Sequence, residues 1–93
     1  MRESKIEKYL AQRVKAIGGL CWKFTSPNLR GVPDRVVILP NGLLVWVELK
    51  APGKVPEPHQ VRRHKELWQR GQRVIVIDSI EGVDKAFGVV FHE

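Results

Sequence analysis

The sequence predicts an α/β domain with a mixed four-stranded sheet flanked by helices. Segments with helical or strand periodicity follow each other in the order helix, three strands, helix, strand, helix. A turn signal, Pro40-Asn41-Gly42, separates two apolar runs and predicts a β-hairpin at the centre of the chain. We expect the first three strands to form an antiparallel meander and the fourth to join in parallel after its crossover helix. The 93 residues are predicted to form one domain, residues 1–93.

The first helix is predicted over residues 4–17. Ser4 and Glu7 have the spacing of a capping box, and Gly18-Gly19 supplies the stop. Its apolar residues recur at helical spacing and predict one buried stripe, formed by Ile6, Leu10, Val14 and Ile17.

The first three strands are predicted from residues 20–25 and from the hairpin at residues 31–50, whose apolar runs are 36–39 and 43–47. The run 36–39 is apolar on both faces, which predicts a central strand covered by helices on both sides. Tryptophans are mainly core candidates, namely Trp22, Trp46 and Trp68, although Trp46 shares a strand face with Glu48 and can line a site there.

The second half of the chain starts with a loop, because prolines and a glycine exclude regular structure from residues 51–58. A helix is predicted at 58–70 with Pro58 as its first residue, followed by a short strand at 73–77. The buried side of this helix is predicted to carry Val61, His64, Leu67 and Trp68. Asp78 and Ser79 are both candidate caps of a last helix that carries Ile80, Val83, Phe87 and Val90.

Charge and composition narrow the class of partner. The chain contains sixteen Lys and Arg residues and ten Asp and Glu residues. A net charge of +6 on so small a domain favours a polyanionic binding partner, most often nucleic acid. A single cysteine excludes an internal disulfide and a cysteine zinc cluster. Neither a membrane span nor a signal-peptide core is visible, so we expect no membrane partner and a cytoplasmic location, the host cytoplasm if the protein is viral.

The hairpin brings acidic and basic side chains together. Its antiparallel strands place Asp34, at the start of one strand, near Glu48 and Lys50, at the end of the other. Residues 48 and 50 share a strand face, which we expect to open to solvent because Leu49 points to the core. Taken alone, each element has a simpler explanation. Asp34 can be a turn residue, and Glu48 and Lys50 can be a solvated edge-strand pair.

Together these groups suit a hard divalent cation. Asp34, Glu48 and the backbone carbonyl of Leu49 offer oxygen ligands of the kind that Mg²⁺ prefers, with Mn²⁺ as a substitute. Such a metal polarises a phosphoryl oxygen and lowers the pKa of bound water. Lys50 beside it can hold or deprotonate the attacking water and offset charge in the transition state.

Pro33-Asp34, thirteen intervening residues and Glu48-Leu49-Lys50 resemble the signature of the PD-(D/E)XK nucleases. The element order resembles that superfamily's restriction-endonuclease-like core, αβββαβ, with an added C-terminal helix. The turn Gly31-Val32-Pro33-Asp34-Arg35 and a glutamine on the next helix resemble the VRR-NUC nucleases, which include stand-alone phage proteins. This resemblance covers about residues 4–78 and extends to Holliday-junction resolvases.

The resemblance implies a role for each matching position. Asp34 and Glu48 would bind the metal, Lys50 would be the catalytic lysine, and Gln60 would orient the lysine, water or phosphate. Glu7 matches the acid that many superfamily members carry on the first helix. Its alternative is the helix cap, and the alternative for Gln60 is a surface helix residue.

Basic residues surround these positions. Candidate nucleic-acid contacts are Arg30, Arg35, Lys54, Arg62, Arg63 and Lys65, although a solvated helix face accounts equally well for about half of them. His59 and His64 do not share a helical face, so we interpret them as phosphate contacts or surface residues rather than as metal ligands.

The leading hypothesis is a Mg²⁺-dependent, structure-selective DNA endonuclease that acts on branched DNA such as four-way junctions, as a homodimer and without a small-molecule cofactor. One domain offers one site, so cutting two strands needs two copies. A non-catalytic nucleic-acid-binding domain on a nuclease fold is the alternative, and a basic protein-interaction module is a third hypothesis, which predicts no salt-dependent DNA binding.

Overall fold

The computed structural model describes residues 1–88 as a mixed four-stranded sheet with helices on its two faces. No helix within these residues is long and apolar enough to cross a bilayer. The predicted α/β class and element order are confirmed. The elements are α1 (Glu3–Ala16), β1 (Leu20–Lys23), β2 (Arg35–Ile38), β3 (Leu44–Leu49), α2 (Pro58–Trp68), β4 (Arg73–Ile77) and α3 (Ile80–Phe87).

The strands lie in the sheet in their chain order, β1-β2-β3-β4. β1 and β2 pair antiparallel with Trp22 opposite Val36, and β2 and β3 pair antiparallel with Val36 opposite Trp46. β4 follows the crossover through α2 and pairs parallel to β3, with Glu48 opposite Val76. The predicted meander and the parallel fourth strand are therefore both confirmed.

One face of the sheet carries the hydrophobic core. α1 and α3 pack there against each other and against the strands, and Arg13 Nε ties them together by donating to the Phe87 carbonyl at 2.7 Å. Ile17, predicted in the same stripe as the buried α1 residues, is only half-buried. The buried side chains of this face include Ile6, Leu10, Val14, Val37, Val45, Val47, Leu49 and Val83.

The other face is only partly covered, so the expectation that β2 lies beneath helices on both sides was wrong. α2 connects β3 to β4 and packs mainly against β4, because a short crossover stays above the two strands that it joins. Val36 and Ile38 are consequently half-buried, while Trp22 is 58% exposed. Trp68 is also 48% exposed, which corrects the assignment of these two tryptophans to the core.

The start of α1 differs from the sequence prediction. Arg2 is the N-cap of α1 and Ser4 lies inside the first turn, so the Ser4–Glu7 capping box was wrong. Ser79 caps α3, since its Oγ accepts from the Gly82 amide at 2.9 Å. Val90, predicted in the last helix, lies outside the described residues.

Candidate active site

The two predicted metal ligands meet at the open end of the β2–β3 hairpin. Asp34 immediately precedes β2, and Glu48 lies one residue before the end of β3. The Leu49 amide donates to Asp34 Oδ2 at 2.7 Å, which fixes one carboxylate against the end of the neighbouring strand. The Asp34 carboxylate is also within hydrogen-bonding reach of the Glu48 carboxyl.

Glu48 is buried beneath α2, with only 1% of its surface exposed. Gln60 Nε2 donates to Glu48 Oε2 at 3.2 Å, and His64 Nε2 lies 3.2 Å from Glu48 Oε1. We expected this strand face to open to solvent at Glu48. The structure corrects that expectation because α2 crosses the face at this point.

Burial decides how the central carboxyl titrates. Removal from water raises the pKa of Glu48 to about 8, and the hydrogen bond and negative charge of nearby Asp34 add to the shift. Burial also lowers the pKa of His64, so the imidazole is neutral at pH 7. A carboxyl that is held close to a second acid and away from water is a group whose ionisation a divalent cation would favour.

Gln60 links this carboxyl to the start of α2. Its Oε1 accepts from the Glu57 amide at 2.8 Å while its Nε2 donates to Glu48. The side chain therefore closes the helix N-terminus and orients a candidate metal ligand at the same time.

Lys50 follows β3 and is half-buried beside the two acids. Its positive charge acts to lower the pKa of Glu48 and of Glu3, against the larger effects that raise them. The ammonium group therefore lies within electrostatic reach of both acids. Its amide donates to the Ile77 carbonyl at 3.0 Å, so the start of the following loop is anchored to the end of β4.

Glu7, the predicted acid of the first helix, is engaged elsewhere. Arg35 Nε donates to Glu7 Oε2 at 2.9 Å, and Arg35 Nη1 donates to the Cys21 carbonyl at 3.1 Å. These contacts hold the Arg35 side chain against α1 with 13% exposure. Arg35 is therefore turned away from solvent, and we do not retain it among the candidate DNA contacts.

Glu3, one helical turn before Glu7, was not among the site residues predicted from the sequence. Burial raises the pKa of Glu3, with a further contribution from the charge of Asp34, while Lys50 opposes the shift. Glu3 thus interacts electrostatically with the candidate site. The missed signal was the i, i+4 spacing of Glu3 and Glu7, which places both acids on the same side of α1.

The interpretation of His64 as a phosphate contact or surface residue was wrong, because its side chain is only 1% exposed and lies against Glu48. Gln60 and His64 stand at i, i+4 on α2 and therefore share one helical face, the face that meets Glu48. His59 instead lies at the helix start, with Nδ1 3.2 Å from Arg30 Nη2.

The other predicted nucleic-acid contacts lie on the surface near the start of α2. Arg30, His59, Arg62 and Arg63 line a cavity of about 550 Å³ between the loop that precedes Asp34 and the helix. Arg63 is additionally paired with Glu66 at 2.9 Å. Solvent-exposed cations of this region are Arg30, Lys54, Arg62 and Lys65.

The donor set fits a cation that keeps much of its water. Among residues 1–88, no group of three His, Cys, Asp or Glu side chains converges. What converges is a pair of carboxylates, Asp34 and Glu48, next to the Leu49 peptide. Mg²⁺ is commonly bound by one or two carboxylates with waters and substrate phosphates completing its shell, so this pair fits Mg²⁺ and does not fit a closed zinc site.

Comparison with known proteins identifies the family of this chain. No family model matches the chain. The p44 protein of Acyrthosiphon pisum secondary endosymbiont phage 1, named as a candidate nuclease, is 54% identical over 79 residues, which is 85% of each chain. A solved VRR-NUC domain is 40% identical and superposes with a TM-score of 0.84, covering 89% of this chain and 90% of the other.

Relatives of this identity and coverage share more than a fold. The resemblance rested on Pro33-Asp34, Glu48-Leu49-Lys50 and the element order, and those residues converge in the structure. The chain belongs to the VRR-NUC domain family, within the PD-(D/E)XK nuclease superfamily.

Proposed function

We propose that this nuclease is a Mg²⁺-dependent endonuclease that hydrolyses DNA phosphodiester bonds at branched structures such as four-way junctions. The observation that carries the proposal is the convergence of Asp34 and Glu48 at the hairpin end, with Lys50 beside them. This arrangement brings two carboxylates that can hold a metal ion and the ammonium group of one lysine to a single point, which suits metal-dependent phosphodiester hydrolysis.

The residues divide the chemistry among them. Asp34, Glu48 and the Leu49 carbonyl would hold Mg²⁺, which supplies Lewis acidity toward a phosphoryl oxygen and activation of a bound water. Lys50 positions the attacking water and offsets negative charge on the phosphorus centre in the transition state. Gln60 and His64 keep the Glu48 carboxylate oriented through the contacts at its two oxygens.

DNA would reach this site along the basic surface at the start of α2. Arg30 and Arg62 beside the 550 Å³ cavity suit phosphate contacts, which orient a duplex without reading its sequence. Within the described residues we find no arrangement that resembles a base-reading helix in a major groove, so selectivity is expected to follow DNA structure.

Cleavage of two strands needs two active sites, and we propose a homodimer. The uncovered half of the sheet supports this, because Leu20 and Trp22 on the edge strand β1 are 47% and 58% exposed. Exposed apolar side chains of this size are typical of protein interfaces.

The activity is tested with a panel of labelled DNAs, comprising a four-way junction, a flap and a linear duplex of the same sequence. The wild-type protein should cut the branched substrates with Mg²⁺ or Mn²⁺ and stop when EDTA is added. Asp34→Asn and Lys50→Ala should abolish cleavage while retaining DNA binding by fluorescence anisotropy. Undiminished cleavage by either variant would refute the assigned mechanism.

Assembly is tested separately by light scattering coupled to size-exclusion chromatography. We expect a dimer for the wild-type chain and a shift toward monomer for Trp22→Glu. A wild-type protein that stays monomeric both free and on DNA would contradict the homodimer and leave the site assignment standing.

The donor pair is also compatible with a second candidate, a non-catalytic DNA-binding domain, since only two acidic ligands converge among residues 1–88. Calorimetric titration with Mg²⁺ separates the two. Specific binding that Glu48→Ala removes supports the nuclease, whereas salt-dependent DNA binding without Mg²⁺ binding or cleavage supports the binding domain.

A further inference from the structure

A second cavity adjoins the candidate active site and has a different character. It encloses about 470 Å³ between α2, β3 and the loop that leads to Asp34. Its walls are mainly apolar, and its charged residues are two arginines of α2 and the turn that follows it, together with Glu66. The residues that matter here are Phe24, Pro33, Trp46, Leu67, Arg63 and Arg70. This volume lies in the range of small-ligand pockets.

Two aromatic rings form one wall. The ring centroids of Phe24 and Trp46 are 4.9 Å apart, and the rings are tilted by 53°. Trp46 Nε1 donates to Gln72 Oε1 at 3.1 Å, so the polar atom of the indole is already paired and the ring is held in place. A fixed aromatic wall of this kind offers a stacking surface for a flat ligand.

Arginine guanidinium groups line the cavity on the α2 side. Arg63 Nη1 pairs with Glu66 at 2.9 Å, and Arg70 Nη1 donates to the Glu66 carbonyl at 2.9 Å. Arg63 Nε is buried without a hydrogen-bond partner among the described residues. The ligand class is therefore flat and apolar on its faces, with an anionic or acceptor-rich part that suits the arginines.

Residues of the cavity wall are direct neighbours of the active-site residues along the chain and across the sheet. The Phe24 amide donates to the Asp34 carbonyl at 2.9 Å, and Pro33 in the cavity wall directly precedes Asp34. Trp46 lies two residues before Glu48 on the same strand face, a separation of about 7 Å along the strand. A phosphodiester held at Asp34 and Glu48 therefore places a flanking nucleotide beside the aromatic wall.

The cavity is built into the fold. Gly31 has φ of 92°, and a Cβ atom at this position would lie 2.5 Å from the His59 carbonyl oxygen. The loop can approach the start of α2 only because this residue has no side chain. That approach sets the distance between the loop and the helix on either side of the cavity.

We propose that this cavity binds one unpaired nucleobase next to the scissile phosphate, stacked on Phe24 and Trp46. A base within a duplex is stacked on its neighbours and cannot enter, whereas a base at a branch point lacks part of this stacking and leaves the helix at lower cost. The inference rests on the proposed nuclease function and gives it a physical basis for selecting branched DNA. It requires that single-stranded character at the cut site favours both binding and cleavage.

The test uses a four-way junction. One set of substrates carries an abasic residue at each nucleotide that flanks the branch point, and another carries the fluorescent base 2-aminopurine there, so that binding is followed whether or not the junction is cut. We expect cleavage to fall about 10-fold for the abasic residue at one flanking position, the effect of losing one base–aromatic stack. The emission of 2-aminopurine at the same position should be quenched on binding in EDTA, where no cleavage occurs.

Variants assign the effect to the cavity. Phe24→Leu and Arg70→Ala should lose discrimination between normal and abasic substrates and lose the quenching. Arg73→Ala, which removes an exposed arginine outside the cavity, should behave as wild type. Circular dichroism and thermal unfolding are measured for every variant, and the less disruptive Phe24→Tyr, which keeps an aromatic ring, should retain both signals.

The outcomes separate this inference from the proposed function. Cleavage that is indifferent to abasic residues at every flanking position, with no quenching, overturns the base pocket and leaves the nuclease intact. Quenching by the wild type but not by Phe24→Leu, without cleavage under any condition, supports the pocket and refutes the nuclease. If Phe24→Leu instead converts a dimer to a monomer without changing base discrimination, the cavity belongs to a protein interface and the proposal is wrong.

Discussion

His64 Nε2 lies 3.2 Å from Glu48 Oε1, and both side chains are only about 1% exposed. This buried contact joins the middle of α2 to the candidate metal ligand on β3. Burial keeps His64 neutral at pH 7, so its Nε2 can donate to Glu48 without adding a charge once a bound divalent cation has ionised that carboxyl. His64 therefore orients Glu48 and does not itself meet the substrate.

We expect His64→Ala to reduce cleavage by about 10- to 100-fold, the usual effect of removing a group that orients a metal ligand. His64→Gln retains a donor near the Nε2 position and should recover part of the activity. The measurement is the rate of cleavage against Mg²⁺ concentration. A purely structural role would lower thermal stability equally in both variants and leave the Mg²⁺ dependence unchanged. Gln69→Ala, at the exposed C-terminal end of α2, is the control for substitution on this helix.

Glu3 is predicted to support metal binding, and Glu7 is predicted to support the stability of the fold. Glu3 interacts electrostatically with Asp34 and Lys50, so Glu3→Gln should raise the Mg²⁺ concentration needed for half-maximal cleavage several-fold, with little loss of stability. Glu7 instead pairs with Arg35, and Glu7→Gln should cost at most about 1 kcal/mol of unfolding free energy. Parallel Mg²⁺ titrations and urea unfolding of the two variants provide the comparison. A greater loss of Mg²⁺ affinity in Glu7→Gln would reverse the assignment.

The raised pKa of Glu48 predicts how the metal-free protein responds to pH. The pKa rises from an ordinary value of 4.5 to about 8 on folding, so the folded state holds this proton more tightly than the unfolded state. The resulting stability is fully present below about pH 4.5 and is lost as the pH rises through 8. For one proton the slope reaches at most about 1.4 kcal/mol per pH unit.

Urea unfolding in EDTA between about pH 5 and pH 8 measures this slope, and a Glu48→Gln variant should flatten it because its amide does not ionise. Equal slopes for the two proteins would show that Glu48 does not titrate in this range. Added Mg²⁺ should stabilise the wild type at the upper end of the range, where the carboxylate is ionised, and should have little effect on the variant.

Gly31 offers a test of the close approach between the loop and α2. In Gly31→Ala, the φ of 92° is unfavourable for a residue with a side chain, and the added Cβ atom would lie 2.5 Å from the His59 carbonyl oxygen. The loop must shift to relieve both. Gly53 has a similar φ of 80°, and a Cβ atom added there would meet nothing within 4 Å, so Gly53→Ala isolates the conformational cost, about 1 kcal/mol. We expect Gly31→Ala to lose about 2–4 kcal/mol in thermal or urea unfolding. Equal losses would show that the loop moves away from α2 without penalty.

Much of the site was accessible from local sequence patterns. The hairpin between two apolar runs determines that the start of β2 and the end of β3 are neighbours, because antiparallel pairing leaves no other arrangement of those ends. The proximity of Asp34 to Glu48 follows from this alone. The parallel fourth strand likewise follows from a helix placed between two apolar runs, since such a crossover favours parallel pairing.

Only the tertiary structure decided which side chains surround these acids. The position of α2 above β3 and β4 buries Glu48, brings His64 to it and leaves Trp22 exposed. The angle of α1 directs Glu7 to Arg35 and sets Glu3 within electrostatic reach of Lys50. Periodicity specifies the face of an element that is buried but not the partner against which it packs. The sequence by itself therefore determined the pair of acids, and the packing of two helices decided the environment that tunes them.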